Sequence, residues 1–238
     1  MIQAVIFDLD GTVLDNEGEW EAAFQAVIEK CEVRIENYQT QPNGWIHEPG
    51  LGLAVNWKNI FEKCSIVNDQ WSIDDLVKET VKQYQSLACR QAGLSLGLSL
   101  RLRPGITELV QKIKERGWQT ALATSSTWGV VERELEQLEL YLAFDVTTTG
   151  EEVMMAKPDP EIYLLTAQKL NLEPENCVVI EDAIAGIRAA REAGMRPVGL
   201  VSDYAGEEKM MAAGAAAVIT SFDDFSLKNE EAHDIIEE

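Results

Sequence analysis

Histidine is almost absent from this sequence: His47 and His233 are the only two in 238 residues. Proton transfer, if the chain performs any, falls to carboxylates. Basic residues are also scarce. Twenty lysines and arginines stand against 41 aspartates and glutamates, a formal net charge of −21. Such an excess repels phosphate backbones and anionic lipid surfaces, so neither nucleic acid nor membrane is an expected partner. It does not exclude a small phosphorylated ligand, which a few cations in a cleft would decide. The four cysteines, Cys31, Cys64, Cys89 and Cys177, lie too far apart for a CxxC pair. This spacing argues against a zinc site or a disulfide framework and fits a reducing cytoplasm, the expected location. No apolar stretch approaches the ~18–20 residues of a membrane span. Met1–Phe7 has no positive region and its apolar run stops at Asp8, which is too short for a signal peptide.

What is present is an ordinary globular composition, 46% hydrophobic and 26% charged, in a length that suits one large domain or two unequal ones. Ala4–Phe7 is a short apolar run of the kind buried on both faces of a parallel sheet. Helical periodicity follows over Glu19–Lys30, where Trp20, Phe24, Val27 and Ile28 recur, and again over Leu53–Phe61 and Ile73–Leu87. Gln39–Gly52 reads as loop, and Gly93–Leu100 as a connector or hinge. From Arg103 strands and helices alternate. Pro104 opens a helix with Ile106, Leu109, Val110 and Ile113 on one face, stopped by Gly117. Strands are expected over Gln119–Ala123, Asp145–Thr149, Cys177–Ile180, Val198–Val201 and Ala217–Ile219. Helices are expected over Val130–Leu140, from an N-cap at Asp159 to Leu170, over Ala183–Ala193 and over Glu207–Ala213. The acidic tail from Lys228 reads as frayed.

This alternation implies an α/β fold with a doubly wound parallel sheet. The helical stretch 16–100 separates the first strand from the others, so it reads as an α-helical domain spliced into a core made of 1–15 and 101–238. In such sheets the ligand crevice lies at the carboxyl ends of the strands. Four elements follow predicted strands. Asp8 and Asp10 flank Leu9 and point the same way in an extended segment, with Gly11 permitting a turn. Thr124-Ser125-Ser126 offers hydroxyls and backbone N–H groups for an anion. Lys157 precedes Pro158-Asp159-Pro160, and Glu181-Asp182 forms a second acidic pair. Four carboxylates and a lysine in one crevice make a hard-cation site, better suited to Mg²⁺ than to Zn²⁺.

The ordered set Asp8-Leu-Asp-Gly-Thr12, Thr124-Ser125, Lys157-Pro158 and Glu181-Asp182 resembles the haloacid dehalogenase superfamily over residues 1–15 and roughly 103–225. The insertion point resembles the subgroup with a helical cap, which includes β-phosphoglucomutase and phosphoglycolate phosphatase. The resemblance implies a Rossmann-like core and phosphoryl-transfer chemistry. Asp8 would be the nucleophile and Asp10 the general acid/base. Asp8, the Asp10 carbonyl and Asp182 would hold Mg²⁺, with Glu181 acting behind them or through water. Thr124, Ser125 and Lys157 would bind the phosphoryl oxygens. The presence of Asp10 argues against dehalogenation, and no cap lysine stands out as a Schiff-base former. The mutases carry Thr-x-x-x-His after the first motif and a lysine soon after the second, where this chain has Asn16, Trp20 and Thr127. The expected function is therefore Mg²⁺-dependent hydrolysis of a small phosphate ester, of sugar phosphate or phosphoglycolate type, by a monomer. The alternatives are a phosphomutase and a non-catalytic phospholigand sensor. In the cap, Trp45 and His47 of the Gly-rich loop are candidates for substrate contact, against packing for Trp45 and solvation for His47. Trp20, Trp57 and Trp71 are expected in the cap core, and Ser126 and Thr127 are possible phosphate neighbours.

Overall fold

The computed structural model describes residues 1–31, 44, 46–63, 71–91 and 100–225. The connector Gly93–Ser99, Trp45 and the acidic tail therefore lie outside the described residues. Six parallel strands form one sheet in the order β3-β2-β1-β4-β5-β6. They are β1 (Ala4–Phe7), β2 (Gln119–Thr124), β3 (Val146–Thr149), β4 (Cys177–Glu181), β5 (Arg196–Leu200) and β6 (Ala217–Ile219). β1 is central. Ala4 pairs with Gln119 on one side and Cys177 on the other.

Its four apolar residues are all fully buried because alternate side chains serve two different layers. Val5 and Phe7 join a cluster with α4 (Ile106–Glu115) and α5 (Trp128–Gln137). Ala4 and Ile6 join a second cluster with α6 (Glu161–Leu170) and α7 (Ile184–Glu192). The small Ala121, Ala123, Ala189 and Ala190 let the second layer approach closely. A short helix, α8 (Glu207–Ala213), covers the β5–β6 side through Met210 and Ala213.

Between β1 and α4 lie α1 (Glu17–Lys30), α2 (Leu53–Lys63) and α3 (Ile73–Gln91). They bury their own cluster, with Phe24, Val27, Trp57, Ile60 and Leu76 at its centre. Trp57 is the largest fully buried side chain there, and Trp71 packs against the cluster, as expected for both. The chain leaves and re-enters the core along one path. Asp15 N–H donates to Arg101 O, and Arg103 N–H to Val13 O, both at 2.9 Å. The return near Arg101 thus lies beside the exit.

Element ends depart from the periodicity where caps decide them. Helix α4 starts at Ile106, because Gly105 takes a left-handed cap conformation and leaves Pro104 outside. Helix α6 is capped at Pro160, with Asp159 accepting the Glu161 N–H. Helix α5 starts at Trp128 and ends before Glu139, which has positive φ. Strand β5 begins two residues earlier than expected, at Arg196, paired to Val178.

The Phe7 ring meets Phe144 and Phe222 edge-on, at centroid distances of 6.0 and 6.4 Å. Phe7→Ala is expected to lower the unfolding free energy by about 3–5 kcal/mol, read by urea denaturation. A loss under about 1 kcal/mol would show that the centre of the sheet does not rest on this ring.

Candidate active site

A parallel sheet sends every strand's carboxyl end to one edge, and the strand order reverses around β1. Asp8 and Asp10 leave β1, Thr124–Ser126 follow β2, and Glu181 and Asp182 end β4. The crevice they share also receives Lys157, from the segment before α6.

Lys157 is completely buried. Its ammonium donates to Asp8 Oδ1 at 2.6 Å, to Glu181 Oε1 at 2.6 Å and to Ala123 O at 3.1 Å. Each of its three N–H groups thus has an acceptor. Glu181 is in turn spent on holding this lysine in place. Its Oε1 also accepts from the Tyr163 hydroxyl at 2.8 Å, and its Oε2 from the Ala183 N–H at the start of α7. Asp182 Oδ1 accepts from the Thr12 hydroxyl at 2.9 Å, whereas its Oδ2 is buried with no hydrogen-bond partner. Gly11 lies over that oxygen with φ of +77°, and a Cβ there would collide with it.

Two buried carboxylates therefore share one ammonium, and a third, Asp182, lies beside them. Burial pushes the Asp8 carboxyl well above the usual carboxylate range, against the pull of Lys157 and reinforced by Glu181 and Asp182. Asp182 is raised for the same reason, burial first, then Glu17 and Glu181. Burial would lower the Lys157 pKa, but Asp8 and Glu181 overrule it and keep the ammonium charged. One carboxylate oxygen each from Asp8, Glu181 and Asp182 lies within 4.8 Å of the other two. An all-oxygen set with one orphaned oxygen, beneath a glycine that leaves room above it, fits a hard divalent cation.

Asp10 is held differently. Its Oδ1 accepts from Asn16 Nδ2 at 2.6 Å and from the Trp20 indole N–H at 2.8 Å. Its Oδ2 accepts from the Ser126 hydroxyl at 2.7 Å, with Thr124 Oγ1 farther off at 3.4 Å. The Ser125 hydroxyl points instead to the Gly50 carbonyl, at 2.9 Å. Gly50 has φ of +79°, and a Cβ there would stand 2.5 Å from the Ala183 Cβ. The insertion thus rests on the core through bare backbone. Thr127 is the N-cap residue of α5 and makes no side-chain capping bond.

A cleft opens between these parts, lined among others by Asp8, Asp10, Glu17, Trp20, His47 and Ser125. His47 reaches it but is not solvated. Its ring lies between Glu21, at 2.7 Å from Nδ1, and Glu17, at 2.9 Å from Nε2, and stacks on Phe24. Burial alone would lower its pKa, yet the bonds to Glu17 and Glu21 lift it to about 9. Two carboxylates on two ring nitrogens require the doubly protonated imidazolium.

Trp20 packs in a buried cluster with Ala23 and Tyr84, as its periodicity suggests, and its indole N–H also donates to Asp10. Asn16 and Glu17 also belong to the site. The signal available in the sequence was position: α1 starts directly after the Asp10 turn, and Asn16 and Trp20 are four residues apart, one helical turn.

The family model for haloacid dehalogenase-like hydrolases matches residues 2–194. The chain belongs to that family. It is 30% identical over 219 residues to a phosphorylated carbohydrates phosphatase of Thermotoga maritima, covering 92% of this chain and 94% of that one. It is 30% identical over 198 residues to hexitol phosphatase B of Escherichia coli K12, covering 83% and 82%. Among solved structures, CbbY from Rhodobacter sphaeroides in complex with phosphate superimposes with a TM-score of 0.78 at 26% identity, covering 93% of this chain and 95% of that one. A β-phosphoglucomutase of Clostridium difficile superimposes at 0.76, also at 26% identity, covering 95% and 94%. No described helix is long and apolar enough to cross a membrane.

The His47 pKa is about 9 in the fold against an ordinary 6.5. Its contribution to stability is complete below the lower value and is lost as pH rises through the upper one. Wild type is expected to lose on the order of 2 kcal/mol relative to His47→Gln between pH 6.5 and 9.5, in paired denaturation curves. Parallel curves for the two proteins across that range would remove the charged histidine from the account.

Proposed function

We propose that this protein is a Mg²⁺-dependent phosphatase that hydrolyses the phosphate ester of a small polyhydroxylated metabolite through an aspartyl-phosphate on Asp8. Residues 16–100 act as the cap, and 1–15 with 101–238 as the catalytic core. The observation that carries the reading is the division of labour between the two aspartates of the first motif. Asp8 sits buried against a lysine and two further carboxylates, whereas Asp10 is held by neutral donors at the cavity.

In this reading Lys157 occupies Asp8 Oδ1, which leaves Oδ2 to attack phosphorus in line. The phosphorus–oxygen ester bond breaks, and Asp10 gives its proton to the departing alcohol. Water then attacks the phosphorus of the aspartyl-phosphate. Asp10 takes a proton from that water, and inorganic phosphate leaves. Asp8, the Asp10 carbonyl and Asp182 would hold Mg²⁺, which when bound offsets the repulsion between the carboxylates and the incoming phosphate. Glu181 has no oxygen free of protein donors, and its part is to position Lys157. Thr124, the Ser125 N–H and the ammonium of Lys157 would face the transferring phosphoryl oxygens.

The cavity supports a neutral, hydroxyl-rich leaving group over a phosphoglycolate. No lysine or arginine lines it among the described residues, and its single imidazolium is committed to Glu17 and Glu21. A second anionic group on the substrate would meet two glutamates sharing one imidazolium, a net negative cluster, whereas sugar hydroxyls can donate to Glu17. The relatives named for carbohydrate and hexitol phosphates agree with this choice. The likeness to a β-phosphoglucomutase keeps a mutase as the second reading.

Phosphate release is expected from sugar or alditol monophosphates with Mg²⁺, suppressed by EDTA and absent in Asp8→Asn. Asp10→Asn is expected to lose about 10²–10⁴-fold. Turnover retained in Asp8→Asn would remove the nucleophile. Bisphosphate-stimulated isomerisation without net phosphate release would replace the phosphatase with the mutase.

A further inference from the structure

The hydrogen bonds that hold Asp10 do not end at its immediate donors. The Asn16 amide nitrogen that donates to Asp10 Oδ1 also donates to the Tyr84 hydroxyl, at 2.9 Å. The same side chain's oxygen accepts the Gly11 N–H at 3.1 Å. Tyr84 passes its own proton to Glu134 Oε1 at 2.7 Å. Trp20, the second donor to Asp10 Oδ1, lies flat on Tyr84, with ring centroids 3.7 Å apart and planes 1° from parallel.

These residues come from separate parts of the molecule. Trp20 is on α1 and Tyr84 on α3, both in the insertion, while Glu134 is on α5 of the core. Asn16, Trp20, Tyr84 and Glu134 are all buried, and Val130 of α5 packs on the aromatic pair. Glu134 is an unusual residue to spend in this place. It faces the core side of an amphipathic helix, beside Val130, Val131 and Leu135, and its Oε2 has no partner. Burial, with the charge of Asp10 adding to it, pushes its carboxyl well above the ordinary range, against the Tyr84 bond. A buried acid with half of its bonding capacity unused is costly, so packing alone does not account for it. Its one bond goes to the hydroxyl that anchors Asn16.

We propose that Tyr84 is a positioning residue for Asp10, its hydroxyl joining Asn16 to Glu134 so that the acid is aimed at the leaving group while α1 and α3 are seated on α5. Both of Asn16's amide protons are donated, one to Asp10 and one to Tyr84. The chain therefore orients Asp10 rather than relaying a proton to Glu134. Asn16, Trp20 and Tyr84 all belong to the insertion, so lifting it off α5 breaks the Tyr84–Glu134 bond and carries both donors away from Asp10 Oδ1.

The inference rests on Asp10 acting as general acid, and the test separates the two ideas. Protonation of the leaving group matters for an alkoxide and hardly at all for p-nitrophenolate. kcat/KM covers only the steps up to leaving-group departure. Tyr84→Phe keeps the ring stack and removes the hydroxyl. It is expected to reduce kcat/KM about ten- to a hundredfold on the alkyl phosphate turned over fastest by wild type, through kcat with KM little changed. On p-nitrophenyl phosphate the change is expected to stay within about twofold, since that ester needs no general acid. Asp10→Asn, assayed beside it, should show the same selectivity with a larger loss. Equal losses on both esters, or none, in a folded Tyr84→Phe would overturn the role of Tyr84 while the Asp10 control stands. A non-selective Asp10→Asn would sink the general-acid reading instead. Should Tyr84→Phe fail to fold, Trp20→Phe removes the other donor and keeps an aromatic ring against Tyr84. Its alkyl-to-nitrophenyl ratio must then fall, and an unchanged ratio refutes the positioning of Asp10 from this side.

Discussion

The structure is organised around a charge problem: Asp8, Glu181 and Asp182 meet at the buried ends of two adjacent strands with a single lysine between them. Asp8 and Asp182 so placed resist ionisation, and the buried ammonium stays charged because Asp8 and Glu181 lie against it. Much of the local architecture answers this. Tyr163 reaches from α6 to hold Glu181, and the N–H of Ala183, the residue that caps α7, holds its other oxygen. Thr12 holds Asp182, and Gly11 leaves the space beside it open. The result is a site preorganised to hold positive charge, the quantity a phosphoryl group requires.

The helical insertion supplies what the core lacks. The core carries the charged groups, and the insertion brings aromatic rings, an imidazolium braced by two glutamates and exposed backbone at Gly50. Those parts line the cavity, and the one cation they bring to it is balanced by its two glutamates. The exit and return strands lie side by side at Val13–Asp15 and Arg101–Arg103, so the insertion hangs from one narrow point only a few residues from Asp10. The charged groups of the core and the aromatic groups of the insertion thereby meet at Asp10. The similarity to carbohydrate phosphatases runs through both parts, since the alignments cover most of the chain.

The core was legible because its signals are local. A four-residue apolar run followed by Asp-x-Asp-Gly needs no partner to be recognised as a buried strand with acids at its end. The α/β alternation then marks the sheet as parallel, while its strand order is read only from the structure. Cap boundaries moved by one or two residues, as at Gly105 and Pro160, because φ at a single residue decides them. Trp20 was legible only in part. Its spacing with Phe24 and Val27 marks it as an inward-facing residue, which it is, but periodicity cannot show that its indole N–H also reaches Asp10. Glu134 gave no sign at all, since an acid within an amphipathic pattern looks like surface.

The order of the acidic and hydroxyl motifs along the chain, the parallel sheet and the site of the insertion were therefore set by the sequence alone, each by residues within a few positions of one another. Only the tertiary structure decided how the carboxylates share Lys157, why His47 stays charged in a buried place, and which residues hold Asp10. These depend on contacts between Asp8 and Lys157, Glu21 and His47, or Tyr84 and Glu134. Those partners lie tens of residues or more apart in the chain. Their bonding energy depends on the low-dielectric surroundings that only the folded packing creates.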